Sequence, residues 1–379
     1  MRFADVLGRS ERSELSQMEA AELLGISERT FRRWRDRHRE QGMDGLADRR
    51  LGASLRRASV TEIERMLGLY RELYRGFTVK HFHEQLLKRH NYVLGYTVTK
   101  LHLQREGLVQ RAKTRSAHRK KRPRRPMVGM LLHQDASTHA WLPGDARAYD
   151  LVVTMEDATS AIYSAFLVEQ EGTASSFRGL REVVARHGLF CSLYTDRGSH
   201  YFQTPVAGGK VSKTALTQVG RALSQLGIEH IAAYSPQARG RSERVFLTLQ
   251  DRLPKEFKLA GISTIEAANE WLRETFIAAH NARFAVAAEQ DGSAFVADAA
   301  AAWREILCIQ EDRIVGSDNT VKWGRLNLQL PPSRLRHFVR TTVRVHAYPD
   351  GRLAILWGPH KLAEYDAKGR LIEPIKAAA

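Results

Sequence analysis

The apolar positions change period twice along the chain. Up to about residue 110 they recur at helical spacing, in two stretches. In residues 16–41, Ala20, Ala21, Leu23 and Leu24 form an apolar face, Gly25 permits a turn, Ile26 anchors it, and Ser27 is placed to cap a second helix. That second helix sets Phe31 and Trp34 at i, i+3 for packing. A further helical stretch runs from about Thr61 to Val109, with Ile63, Met66, Leu67, Leu69, Tyr70 and Leu73 on one pattern and Phe82, Leu86 and Leu87 on the next. Thr97 is placed to cap another helix there.

After Pro126 the pattern turns to short apolar runs. Strands are predicted over 128–135, 150–157, 161–170, 190–196 and 229–235, with helices near 174–187, 212–226, 242–259 and 264–280. Three successive strands followed by strand–helix alternation indicate a mixed α/β sheet. The alanine-rich stretch 287–303 reads as a helical connector. From about Arg313, alternating runs at 321–330, 341–349, 351–358 and 360–366, separated by Pro or Asp-Gly turns, predict a small β-barrel or sandwich.

Charge sharpens this division. The 379 residues carry a formal charge of +17, yet residues 1–126 hold 30 Lys and Arg against 15 Asp and Glu, and the remainder is almost balanced. A basic excess of this kind suits a polyanion, because clustered cations release counterions from phosphates. The helix after Ser27 carries Arg29, Arg32, Arg33 and Arg35, the helix-turn-helix pattern whose second helix enters a DNA major groove. Residues 111–126, including Lys120, Lys121, Arg122 and Arg124, contain nine basic residues and no acid, so they read as an extended linker that tracks phosphates. Two distant cysteines and no CxxC argue against a disulfide framework or a thiolate zinc site, and His81, His83, His90 and His102 do not have zinc-ligand spacing. No run is long and apolar enough to span a membrane, and a cytoplasmic, nucleoid-associated protein is expected.

Three carboxylates are candidates for chemistry. Asp135 closes the first predicted strand and Asp196 the fourth, while Glu243 opens the helix after the fifth, among Arg239, Arg241 and Arg244. Were the first strand central and the fourth its neighbour, a ribonuclease-H-like order, the aspartates would lie side by side. Glu243, three residues before Phe246 and the stripe Leu249, Leu253, Phe257, would face the sheet above them. Carboxylates converging without a base repel one another unless a cation lies among them, and hard oxygen ligands suit Mg²⁺ or Mn²⁺, two such ions serving in-line phosphoryl displacement. The neighbouring arginines are then phosphate contacts. Asp157, at the end of the second strand, reads as structural or as a support just behind the site, and His133 and His139, which flank Asp135 and could touch substrate, read first as locally satisfied.

The segments "AAELLGISERTFRRWRDRH", "HQDASTHAW", "MEDATS", "YTDRGSHYF" and "SPQARGRSERVFLTLQDRL" together resemble bacterial insertion-sequence transposases with an integrase catalytic core and a DDE triad, most closely the ISNCY group. The resemblance implies Asp135, Asp196 and Glu243 as catalytic, metal-binding residues in a ribonuclease-H-like core. It also implies hydrolysis at the element's ends, attack of the freed 3′-hydroxyls on target DNA, and a homo-multimer on double-stranded DNA. On this reading 1–58 is a helix-turn-helix domain, 59–110 a second helical DNA-binding domain, 111–126 the basic linker, 127–285 the catalytic core, 286–312 the connector and 313–379 the barrel. The competing readings are a transposase-derived DNA-binding regulator without catalysis and a nuclease for RNA–DNA hybrids. A helix suited to the B-form major groove argues against the second.

Overall fold

The computed structural model describes residues 2–47, 58–111, 123–205, 209–212, 214–234, 240–297, 302–332 and 337–372. The chain divides into two compact units, 1–75 with 83–110 and 76–82 with 111–379.

In the first unit, α1 (Arg2–Glu11) precedes the predicted pair α2 (Gln17–Leu24) and α3 (Glu28–Gln41). The sequence pattern had not indicated α1. Ser16 and Glu19 cap α2 reciprocally, the Ser16 hydroxyl accepting from the Glu19 amide at 3.2 Å and the Glu19 carboxylate from the Ser16 amide at 2.8 Å. Gly25, at φ +67°, ends α2 in the left-handed conformation that lets the chain turn. Ser27 then caps α3, accepting from the Thr30 amide at 3.2 Å. Phe31, Ala20 and Ala21 bury against Val6 and Leu7, while Leu23 faces out because α1 covers a narrower stripe than a four-residue face would need. Helices α4 (Val60–Glu72), α5 (Val79–Arg89) and α6 (Tyr96–Arg105) follow. The α6 cap is Gly95 rather than Thr97, which lies inside the helix.

The second unit is built on β1 (Leu132–His139), β2 (Tyr149–Glu156), β3 (Ile162–Val168), β4 (Ser192–Thr195) and β5 (Glu229–Ala232), in the spatial order β3-β2-β1-β4-β5. The first three are antiparallel, and β1–β4 and β4–β5 are parallel. This is the mixed, ribonuclease-H-like order expected. Helix α7 (Thr173–His187) joins β3 to β4, and α8 (Gln218–Gln225) precedes β5. These helices pack Phe177, Leu180, Val183, Val219 and Leu223 on one face of the sheet. Helix α9 (Gly240–Ala260) packs Phe246, Leu249, Leu253 and Phe257 on the other, against Leu151, Val153, Met155 and Ile162. Helix α10 (Ile265–Trp271) and α11 (Ile277–Phe284) close the open edge of β3 through two asparagines. Asn269 bonds both backbone groups of Leu167 and Asn281 both of Ile162, at 2.6–3.0 Å, satisfying donors and acceptors that an edge strand otherwise exposes.

Two expectations fail in the C-terminal third. Residues 286–297 are not helical: Ala294 donates to Val128 O at 2.9 Å, and Val296 and Leu189 exchange two 2.8 Å backbone bonds, so this part of the connector lies extended along the sheet domain. A short α12 (Trp303–Ile306) follows. The predicted barrel is instead an open five-stranded sheet of order β12-β11-β10-β9-β6, with a separate hairpin of β7 and β8. These strands are β6 (Ile309–Ile314), β7 (Thr320–Trp323), β8 (Leu326–Gln329), β9 (Thr342–Ala347), β10 (Leu353–Trp357), β11 (His360–Tyr365) and β12 (Leu371–Ile372). The run read as one strand over 321–330 folds back on itself at Gly324 (φ +56°), and so pairs internally instead of closing the sheet. Val321 and Leu328 of the hairpin pack on Val343, Val345, Leu353 and Ile355.

Candidate nucleic-acid active site

Strand β1 positions the first carboxylate. Asp135 is the fourth of its eight residues and stands opposite Val153 of β2, inside the strand rather than at its end. Odd-numbered residues of β1 share a face with their partners Met155, Val153 and Leu151, which belong to the cluster under α9. His133, Asp135 and Ser137 therefore line the α9 face, and Leu132 turns to the α7 side.

Asp196 follows β4 directly. The parallel register pairs Leu132 with Leu193 and His133 with Tyr194. Extended by two residues, past the last residue of β4, that register would bring Asp196 opposite Asp135. Both aspartates act electrostatically on buried Tyr201, whose phenol is pushed up first by burial and further by Glu171 and the two carboxylates. Asp135 is buried, with Oδ1 accepting from the Ala136 amide at 3.1 Å. Asp196 Oδ1 accepts from the Gly198 amide at 2.8 Å. A Cβ at Gly198 would meet that oxygen at 3.0 Å and the His200 ring at 3.1 Å, so a larger residue here would push on both side chains. Burial lowers the His200 pKa, against the opposing pull of Asp196, and its Nε2 is buried with no hydrogen-bond partner among the described residues.

Glu243 departs from expectation. Ser242 and Phe246 bury on the sheet side of α9, and Glu243, one residue further round, is exposed. Two anchors fix α9 along β1. At its start the Arg241 guanidinium bonds Asp157, and farther on Gln250 Nε2 donates to Ser137 Oγ at 2.9 Å. Glu243 lies between those anchors, and so does Asp135 along β1. Among the described residues, no three His, Cys, Asp or Glu side chains are gathered closely enough to hold a metal ion. Carboxylate oxygens such as those of Asp135 and Asp196 suit a hard divalent cation by donor chemistry, while Glu243 is exposed on the first turn of α9.

The basic residues divide. On α3, Arg29, Arg32 and Arg33 are exposed, Arg32 lying 3.8 Å from Glu28, while Arg35 is half-buried and paired with Asp36 at 2.9 Å. Arg244 is exposed on α9. Lys120, Lys121, Arg122 and Arg239 lie outside the described residues. Arg124 and Arg241, expected at phosphates, make intramolecular bonds instead. Arg124 Nη1 donates to Asp157 O at 2.9 Å, Ala158 O at 3.1 Å and Ser160 Oγ at 2.8 Å, and Arg241 pairs with the buried Asp157 carboxylate. Sequence spacing missed Asp157, His133 and Gln250, because their partners lie 84, 24 and 113 residues away. No helix among the described residues is long and apolar enough to cross a membrane.

A helix-turn-helix unit with exposed arginines and a mixed sheet of ribonuclease-H-like order, carried on one chain, describe a protein of the DNA-binding class. Comparison with known proteins agrees. The helix-turn-helix domain family matches residues 5–54. A Sinorhizobium fredii protein named as a transposase, y4bF, is 30% identical over 364 residues, 94% of this chain and 79% of that one. The transposase for insertion sequence IS1202 of Streptococcus pneumoniae is 34% identical over 163 residues, 43% of this chain and 34% of its own. The chain belongs to this transposase family. Among solved structures, a simian T-cell lymphotropic virus intasome bound to the PP2A regulatory subunit B56 gamma matches 74% of this chain and 92% of its own. Its TM-score of 0.35 at 14% identity is too low to bear on the fold or the site.

Proposed function

We propose that this transposase cleaves DNA at the ends of its element and transfers the freed 3′-hydroxyls into target DNA, with Asp135, Asp196 and Glu243 holding one or two Mg²⁺ or Mn²⁺ ions. The observation that supports the reading is the parallel β1–β4 register, Leu132 with Leu193 and His133 with Tyr194, which if continued two residues would bring Asp135 opposite Asp196. Two adjacent carboxylates in a partly buried cleft repel each other, which favours a cation between them. A bound divalent ion supplies positive charge against the phosphoryl oxygens as the displacement proceeds.

The chain's own residues do the rest. The Gly198 amide holds the Asp196 carboxylate by a 2.8 Å bond, and the Gln250–Ser137 bond holds α9 along β1. Glu243, exposed on the first turn, reaches the aspartates by a swing of its side chain when DNA and metal bind. Arg244, exposed next to Glu243 on α9, is free to meet a phosphate, Arg239 is proposed for the same role on its place in the sequence alone, and Arg29, Arg32 and Arg33 meet the duplex from α3. Such enzymes work on paired ends, so a homo-multimer on DNA is proposed as well.

The test uses the full-length protein and a labelled duplex taken from the DNA that borders its coding sequence. With Mg²⁺ the wild type should nick and join that duplex, and Asp135→Asn should bind it equally well without cutting. Wild-type cleavage by Asp135→Asn would refute the enzyme reading and favour a DNA-binding regulator.

A further inference from the structure

Asp157, which the sequence marks only as the residue after a strand, joins three separate segments. It is fully buried. Its Oδ1 accepts from His133 Nε2 at 2.7 Å and from the Arg241 guanidinium, and its Oδ2 from the Arg125 amide at 2.7 Å. Its own amide donates to Leu131 O at 3.0 Å, which fixes the carboxylate at the start of β1. His133 is two residues from Asp135 on the same face, and Arg241 is two residues from Glu243 on the same helical turn.

The apolar stripe alone does not orient that turn. Phe246 is the first large apolar side chain of α9 to bury on the sheet, and residues 240–244 (Gly, Arg, Ser, Glu, Arg) include no apolar side chain that could dock. Gln250 fixes the helix farther along. On the first turn Arg241 makes a charge-assisted bond to the buried Asp157 carboxylate, a directional contact of the kind that orients a helix end. A carboxylate this buried does not release its guanidinium readily, since either charge left alone in the interior is costly.

We propose that Asp157 is a positioning residue for the catalytic centre: by holding His133 of β1 and Arg241 of α9 on one carboxylate, it sets the turn bearing Glu243 against the strand bearing Asp135. The inference rests on the carboxylate reading of the site. Arg241 then has a structural task beside the metal site, and the chain entering at Arg124 and Arg125 is tied to the same point.

The test compares full-length wild type, Asp157→Asn, Arg241→Gln and Asp135→Asn on the bordering duplex, with hydrogen exchange followed in parallel without DNA. In Asp157→Asn and Arg241→Gln, amides of 240–247 should exchange at least about tenfold faster while those of 2–47 stay unchanged. Cleavage should fall by about a hundredfold, the scale of a 1 Å misplacement, with unaltered duplex affinity and a raised half-saturating Mg²⁺ concentration. Should Asp157→Asn fail to fold, Arg241→Gln decides, because its side chain reaches the surface in part. Wild-type cleavage by Arg241→Gln, with Asp135→Asn inactive, would overturn the positioning role and leave the catalytic reading intact. So would uniformly faster exchange across the sheet with an unmoved Mg²⁺ requirement. An active Asp135→Asn would instead remove the catalytic reading on which the inference depends.

Discussion

Arginines on α3 and at the start of α9 carry the same charge in similar sequence surroundings, yet the structure gives them opposite settings. Arg29, Arg32 and Arg33 stand in solvent around a small apolar core, where a phosphate can replace water at little cost. Arg241 is drawn into the sheet domain by a fully buried aspartate, and Arg124 by the carbonyls of the β2–β3 turn. A run of positive charge therefore reports a polyanion site only where no buried acceptor lies within reach. The excess of charge in the first 126 residues survives this distinction, whereas the cluster around Glu243 is divided by it.

Several substitutions break or sharpen that contrast. The largest effect is expected at the aspartates, which belong to neither set of arginines: Asp196→Asn should lower cleavage of the bordering duplex by at least about a hundredfold, as loss of transition-state charge stabilisation does, with gel-shift affinity retained. Arg241→Gln should destabilise the sheet domain by about 3 kcal/mol in urea unfolding, because it strands a buried carboxylate. Arg33→Gln should change stability by less than about 0.5 kcal/mol in the same assay, as surface substitutions do. On DNA the order reverses. Arg33→Gln should reduce the slope of log affinity against log salt by about 1, and Arg241→Gln should leave it alone.

The smallest effect lies at low pH. Burial works to raise the Asp157 carboxyl pKa, but His133, the Arg125 amide and Arg241 together hold it well below the ordinary 3.8. A group with a depressed folded pKa contributes stability above its unfolded value and loses it as pH falls through the folded one. Wild type and Arg33→Gln should thus share a steep loss of thermal stability below about pH 4, while Asp157→Asn starts lower and falls less steeply there. His230 and His280 act at milder pH. Burial lowers both from 6.5 to about 4, so each stays neutral when folded and weakens the fold as pH drops between those values.

The order of the central sheet was readable because three adjacent apolar runs followed by strand–helix alternation leave few ways to pair. Asp196 was readable as well, since its strand is short and ends abruptly. Asp135 was misplaced to a strand end because β1 continues through the polar residues Ser137 and Thr138, which pair across β2 with Leu151 and Asp150. The phase of α9 was ambiguous between Ser242 and Glu243, which lie four and three residues before Phe246 and both fit the stripe. Only packing decides, and it buries the serine. The barrel failed for a local reason, a glycine turn inside one run, and Asp157 stayed hidden because nothing near it in sequence announces its partners.

The most direct test of the account is Mg²⁺-dependent cleavage of the bordering duplex by full-length Glu243→Gln, with binding of the same duplex measured alongside. The account predicts unchanged binding and cleavage reduced to background. Cleavage at the wild-type rate would contradict it, since the exposed carboxylate on the first turn of α9 would then have no part in the chemistry.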